Sequence, residues 1–235
     1  MNFILVFIFV FLILSVAPEA MAQQTVFNVP SADVLEKGKV YAELDAIFKT
    51  NNQEALRRFS SFVPRVVAGV GGNSEIGLNL PGNVNPGADS TTIVATVKHR
   101  FYQSSKWNFT IYGGNNFYFP VRNRAYQFGT YTYVAAAKTF NKTRLTAGAF
   151  VFSKNVVVPN QARGGGQFTF EQTVNSKLTL ATDWFTGRQA SGFLTLGTIY
   201  KFTPKLTGYF AYSIGNANAR KGNHFFLLEV GYNFN

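Results

Sequence analysis

From Lys39 onward, apolar and polar residues exchange places at nearly every step, in segments of about ten residues. Leu178, Leu180 and Trp184 alternate with Lys177, Thr179, Ala181 and Asp183. Leu206, Phe210, Tyr212 and Ile214 alternate with Lys205, Thr207, Tyr209 and Ser213. A period of two puts successive side chains on opposite faces, which is strand rather than helix. The pattern predicts twelve strands, at about 39–49, 60–71, 74–81, 91–102, 106–118, 127–139, 143–153, 163–174, 177–186, 190–202, 205–214 and 223–234.

The connections between these segments sort by length. After the second, fourth, sixth, eighth and tenth strands the chain reverses at Gly72-Asn73, Gln103-Ser104-Ser105, Asn141-Lys142, Asn175-Ser176 and Thr203-Pro204. Gly, Asn, Ser and Pro are the residues that tight turns demand. The other connections are mostly longer: Asn51 to Phe59, Pro81 to Ser90, Pro120 to Tyr126 and Gly215 to Gly222. An even number of alternating strands with short turns at one end and long loops at the other predicts an all-β fold. It is a closed antiparallel up-and-down transmembrane β-barrel of about twelve strands, with its short turns periplasmic and its longer loops extracellular.

Aromatic residues agree with that orientation. Phe101, Trp107, Phe140, Tyr200, Phe202, Tyr232 and Phe234 fall beside the short turns, and Phe48, Phe62, Phe117, Phe119, Trp184, Tyr212 and Phe226 near the opposite ends. Two girdles at the membrane interfaces are expected from this clustering.

The amino-terminal residues do not alternate. Phe3 to Val16 is an almost unbroken apolar run followed by Ala20-Met21-Ala22, the order of a signal peptide over 1–22 with cleavage before Gln23. An uncleaved anchor is the alternative, but a run of about fourteen falls short of the roughly 20 residues that span a bilayer. Residues 23–38 contain Pro30 and a Ser31-x-Asp33-x-x-Glu36 stretch able to start one helical turn. They read as a periplasmic lead-in or a short plug entering the barrel mouth, or else a disordered tail, and 39–235 as the barrel.

The chain has no cysteine, which removes disulfides and thiolate metal or redox sites. A formal net charge of +11 raises the question of nucleic acid, but the basic residues are scattered at strand ends rather than gathered in a stripe, so no nucleic-acid partner is expected.

The closing segment, Phe226-x-Leu228-x-Val230-x-Tyr232-x-Phe234, resembles the C-terminal strand through which outer-membrane barrels are received by the barrel assembly machinery, although Asn235 follows the final aromatic here. The chain after residue 22 resembles the small outer-membrane porin and channel families of about twelve strands. That resemblance implies a Gram-negative outer-membrane location and transport. It also implies lipid and lipopolysaccharide as surroundings and small hydrophilic solutes as cargo.

If apolar residues face lipid, the opposite parity faces the lumen. That register places Glu43, Asp45, Arg65, Lys98, Arg100, Lys138, Arg144, Glu171, Asp183 and Glu229 inside as candidate pore-lining residues. Glu75, Lys39, Lys106, Lys177, Lys201 and Lys205 share the same face, whereas His99 falls outside. These charges either form a constriction with a basic, weakly anion-preferring mouth, or pair off across the lumen and hold the barrel in shape. As a set they imply a polar, water-accessible interior. Lys49, Arg57, Arg58, Arg122, Arg124, Lys154, Arg188, Arg220 and Lys221 form a basic outer rim suited to lipopolysaccharide phosphates or to anionic solutes.

Some twelve-stranded outer-membrane barrels are lipid hydrolases that use a Ser and a His. Neither His99 nor His224 is followed two residues later by Ser, since Phe101 and Phe226 stand there. No enzyme is expected, and no cofactor. Two distant histidines offer no metal-ligand spacing either. The reading is a passive channel. Its alternatives are a non-conducting structural or adhesive barrel, or a soluble exported β-protein.

Overall fold

The alternating segments form hydrogen-bonded ladders throughout. The computed structural model describes residues 25–49, 61–80, 91–122, 128–156, 161–189, 191–217 and 223–234. The twelve strands are β1 Val40–Lys49, β2 Ser61–Gly71, β3 Ser74–Asn79, β4 Thr91–Ser104, β5 Phe109–Arg122 and β6 Gly129–Phe140, followed by β7 Thr143–Phe152, β8 Gly164–Thr173, β9 Leu178–Phe185, β10 Phe193–Lys201, β11 Leu206–Gly215 and β12 His224–Phe234. Each pairs antiparallel with its sequence neighbours, and β1 meets β12 from Val40↔Phe234 to Lys49↔Phe225, so the sheet closes on itself. Closure removes sheet edges, the condition under which strands can cross lipid with every ladder group paired. The expected signal peptide, and the rim residues Arg57, Arg58, Arg124, Arg220 and Lys221, lie outside the described residues.

The tight turns sit where Gly and Asn put them. Asn73, Asn108 and Asn141 adopt positive φ of 60°, 47° and 51°, a region that Asn reaches more readily than other side-chain-bearing residues. Several boundaries differ from expectation by a few residues: β5 runs on to Arg122, into the stretch read as a loop, and the β4–β5 turn is displaced. β4 runs on to Ser104 and the turn is completed by Asn108, so Lys106 and Trp107 belong to the turn rather than opening β5. Asn108 N–H closes that turn on Ser105 O at 3.3 Å.

Parity divides the side chains as the sequence implies. Leu44, Ile76, Val134, Leu145, Phe210 and Val230 are exposed on the outer surface, and Glu43, Asp45, Lys98, Thr207 and Ser213 are buried within. The exterior is therefore a continuous apolar band, which in water would be strongly unfavourable and in lipid is the required surface.

Residues 25–38 run inside this barrel. Val26, Phe27 and Val29 are fully buried, and each of the three interior apolar clusters contains at least one residue of the segment. No helical turn forms at Ser31 to Glu36, contrary to the capping pattern. Its backbone groups are taken by the wall instead: Lys98 Nζ donates to Ser31 O at 3.3 Å, and Leu35 N–H donates to Glu75 Oε2 at 2.8 Å. The segment joins β1 by passing tightly against β2. A Cβ on Gly69 would stand 1.9 Å from Glu36 O, so only glycine admits the chain there.

The interior also differs from the polar lumen that parity suggested. Tyr112, Tyr131, Tyr133, Phe150, Phe152 and Phe185 point inward and pack as one cluster with Val29 and Ala32. Apolar residues of the amino-terminal segment need apolar walls, and these rings provide them.

Candidate functional site

Three charged groups and one carboxylate cradle join the barrel wall to itself and to the segment within it. On β7 and β8, Arg144 and Glu171 are directly opposed. Arg144 grips Glu171 through Nε and Nη2 at 2.8 and 2.6 Å, while Nη1 meets both oxygens of Asp33 at 2.9 Å. On β3 and β4, Glu75 and Lys98 form a buried pair at 2.8 Å. On β1 and β2, Arg65 reaches Glu43 at 3.2 Å, Asp45 at 2.7 Å and Thr25 Oγ1 at 2.7 Å. Glu229 on β12 lies in the same group, and carboxylate oxygens of Glu43, Asp45 and Glu229 all fall within 4.8 Å of one another.

The fourth contact belongs to Asp183 on β9. A tight turn over Thr25–Pro30, closed by Val26 N–H to Val29 O at 2.8 Å, aligns three successive backbone donors. Phe27, Asn28 and Val29 N–H all donate to Asp183 Oδ2, at 3.1, 2.5 and 2.8 Å. Consecutive N–H groups converging on one oxygen form an anion nest, here filled by a side chain of the wall. Asn28 Nδ2 adds a bond to Thr195 Oγ1 at 2.9 Å, and Tyr112 donates its hydroxyl to Pro30 O at 2.6 Å.

Seven of the ten predicted lumen residues with Asp33 and Glu75 thus form these contacts: Glu43, Asp45, Arg65, Lys98, Arg144, Glu171 and Asp183. Glu229 is buried beside them. Arg100 and Lys138 stand at the short-turn rim instead, bonded to Asn73 Oδ1 at 2.8 Å and to Trp107 O at 3.0 Å. Of the predicted girdle residues, Phe101, Trp107, Phe140, Phe202, Tyr232, Phe234 and Trp184 are exposed, and Trp184 Nε1 donates to Asn216 Oδ1 at 3.0 Å. Phe117 is half-buried and stacks with Phe128.

Above the segment, toward the long connections, lies a cavity of about 620 Å³. Thr25, Asn28 and Pro30 form its floor, and its walls carry Tyr118, Tyr131, Phe152, Phe193, Phe225 and the amides Asn79 and Asn116. Arg65 and Lys98 also reach it. Sequence reasoning missed the inward rings, although Tyr131 with Tyr133 and Phe150 with Phe152 already share a parity.

The histidines do not come together. His99 Nδ1 is 2.8 Å from Ser74 Oγ across the β3–β4 ladder, a contact that a search along the chain does not see. The His99 ring lies edge-on to Phe101, and among the described residues no carboxylate or amide orients it, so the third member that Ser–His chemistry requires is missing there.

A twelve-stranded closed barrel with an apolar exterior and charged interior belongs, as a fold, with the small outer-membrane barrels. The sequence matches no family model and no curated protein. Among solved structures it is similar to the KdgM porin in complex with disordered oligogalacturonate, with a TM-score of 0.58 at 9% identity, over 84% of this chain and 99% of that one. It is also similar to an outer membrane channel from Pseudomonas putida F1, with a TM-score of 0.52 at 12% identity, over 86% of this chain and 97% of that one. Outer membrane phospholipase A from Escherichia coli matches with a TM-score of 0.50 at 12% identity, over 86% and 94%. Identities this low speak to the fold alone.

Proposed function

We propose that this protein is an outer-membrane channel for small hydrophilic solutes, closed at rest by its own amino-terminal segment. The observation that carries this reading is the cavity of about 620 Å³, walled by the barrel and floored by Thr25, Asn28 and Pro30. A solute entering from the long-loop side meets aromatic walls and amides and then a floor that is not part of the barrel. The floor is a separate length of chain held by polar contacts and apolar packing rather than by a ladder, so its release opens a path without breaking one. Similarity to barrels described as porins and channels supports the same role. Exposed rings at both ends suit the two interfaces of a bilayer, and Lys154 and Arg188 on the long-loop side suit lipopolysaccharide phosphates. The outward Phe226, Leu228, Val230, Tyr232 and Phe234 suit recognition by the assembly machinery.

A weak anion preference follows from the short-turn mouth. Arg65, Lys98 and Arg144 are neutralised by carboxylates, whereas Lys106, Lys142, Lys177 and Lys205 are exposed there with no carboxylate paired to them among the described residues. Arg100→Glu with Lys138→Glu should then move the reversal potential toward cations. The test of the whole reading is single-channel conductance of the chain starting at Gln23 beside one starting at Lys39. Rare or small openings in the first and steady openings in the second are expected. Silence from both, with the barrel folded, would favour the second reading, a non-conducting structural or adhesive barrel, which complete burial of Val26, Phe27 and Val29 across the lumen also suits.

A further inference from the structure

The register of barrel closure places Asp45 directly opposite Glu229 in the β1–β12 ladder. Both are 1% exposed and face the interior. Like charges directly opposed across an antiparallel pair are destabilising, and Glu43, two residues along the same face of β1, adds a third. Among the described residues the ion pairs of this group all come from Arg65, through Nη2 to Asp45 Oδ2 at 2.7 Å and Nη1 to Glu43 Oε1 at 3.2 Å. The other oxygen of Glu43 accepts the Tyr41 hydroxyl.

Glu229 supplies a separate observation. It comes from the opposite end of the chain, and neither of its carboxylate oxygens has a hydrogen-bond partner; Asp45 Oδ1 has none either. Buried polar atoms are almost always paired, and unpaired carboxylate oxygens call for a bound proton, water or ion. Three carboxylates face one guanidinium, so full ionisation would leave two negative charges in excess. The three unpartnered oxygens belong to Asp45 and Glu229, the two residues that closure brings face to face.

We infer that Asp45 and Glu229, with Glu43 beside them, hold a divalent cation across the closing seam of the barrel. An all-oxygen, carboxylate-rich donor set suits a hard ion. Calcium fits better than magnesium, because it accepts irregular geometry and bidentate carboxylates, whereas magnesium demands a near-ideal octahedron and keeps its waters. Arg65 occupies Asp45 Oδ2 and leaves Oδ1 for the ion. Arg65 also lines the cavity, which gives the site a route to solvent. The ion would join the first strand to the last, acting as a staple at the one place where the sheet closes.

The experiment uses the chain starting at Gln23, refolded into detergent free of lipopolysaccharide and stripped with EDTA. Terbium is added first, with excitation through tyrosine: Tyr41 and Tyr209 have hydroxyls 3.2 Å apart beside Glu43 and are placed to sensitise it. The unfolding temperature is then read from the heat-modifiable gel band with and without calcium. Sensitised terbium emission that calcium displaces is expected, with a rise in unfolding temperature of roughly 5–10 °C at about 100 times Kd. Glu229→Gln and Asp45→Asn, which keep the side-chain shape, should abolish both effects. Absent emission and an unchanged unfolding temperature in the wild type would overturn the proposal and leave a shared proton between Asp45 and Glu229. A calcium effect that survives in Glu229→Gln would also overturn it, by placing the ion elsewhere. If one variant fails to fold, the other decides, by losing both effects or keeping them.

Discussion

Asp183 is the contact through which the proposed closure can be tested most directly. Asp183→Asn keeps the volume of the side chain and one acceptor oxygen but removes the charge on which Phe27, Asn28 and Val29 N–H converge, at 3.1, 2.5 and 2.8 Å. Hydrogen bonds to a charged group contribute about 1.5–3 kcal/mol against roughly 0.5–1.5 for neutral ones. Weakening three together costs about 2–4 kcal/mol of segment docking, since the effects are not fully additive. At about 1.4 kcal/mol per tenfold change, the open fraction rises roughly 30- to 1000-fold. The assay is planar-bilayer recording of wild type, Asp183→Asn and the chain starting at Lys39, each first shown to migrate as a folded barrel. Openings in the variant should be far more frequent than in wild type and resemble those of the shortened chain. If the shortened chain conducts and Asp183→Asn behaves as wild type, the nest is not what holds the segment and the reasoning fails.

Other substitutions probe separate parts of the structure. Lys98→Met strands Glu75 in a site where both side chains are 4% exposed, so equilibrium unfolding in urea should show a loss of about 3–5 kcal/mol. Gly69→Ala puts a Cβ 1.9 Å from Glu36 O, and limited proteolysis should then cut the segment near Leu35 to Gly38 while the barrel still shows its heat-modifiable band. Val134→Arg, midway along β6 and 51% exposed, should cost about 2–4 kcal/mol of folding into phospholipid vesicles. Phe140→Arg, at the short-turn end of the same strand, should cost at most about 1 kcal/mol, because the penalty fades toward the interface.

The parts of this fold that were legible in the sequence are those governed by local periodicity. Alternation along β9 and β11 gave strand, face and inward charge together, because a period of two fixes all three. Asn73 and Asn141 marked their turns for a local reason as well. Residues 25–35 gave no such signal. They have no regular backbone period, and their partners are distant: Phe27 and Asp183 are 156 residues apart. The capping pattern at Ser31 was a local preference overruled by wall contacts that only closure creates. The inward rings of β6 and β7 were obscured because aromatics also mark the outer girdles, so composition pulled attention to the outside. The opposition of Asp45 and Glu229 depends on the register of the first strand against the last. A search for His or Cys spacing could not anticipate a cluster made of carboxylates from both ends.

The cluster around Val26 and Phe27 takes its walls from β9 to β12, through Ala181, Ile199, Tyr209, Ala211, Phe225 and Leu227. A chain is synthesised from its amino terminus, so this segment emerges well before those walls exist. Made early, this stretch can be covered only once the last strands are in place, and until then its bulky apolar side chains have no walls of their own. An unfinished barrel presents that stretch to any chaperone or protease in the compartment, whereas a finished one hides it. Shelter of Val26 and Phe27 is thus a report, written into the molecule, that the final strand has closed.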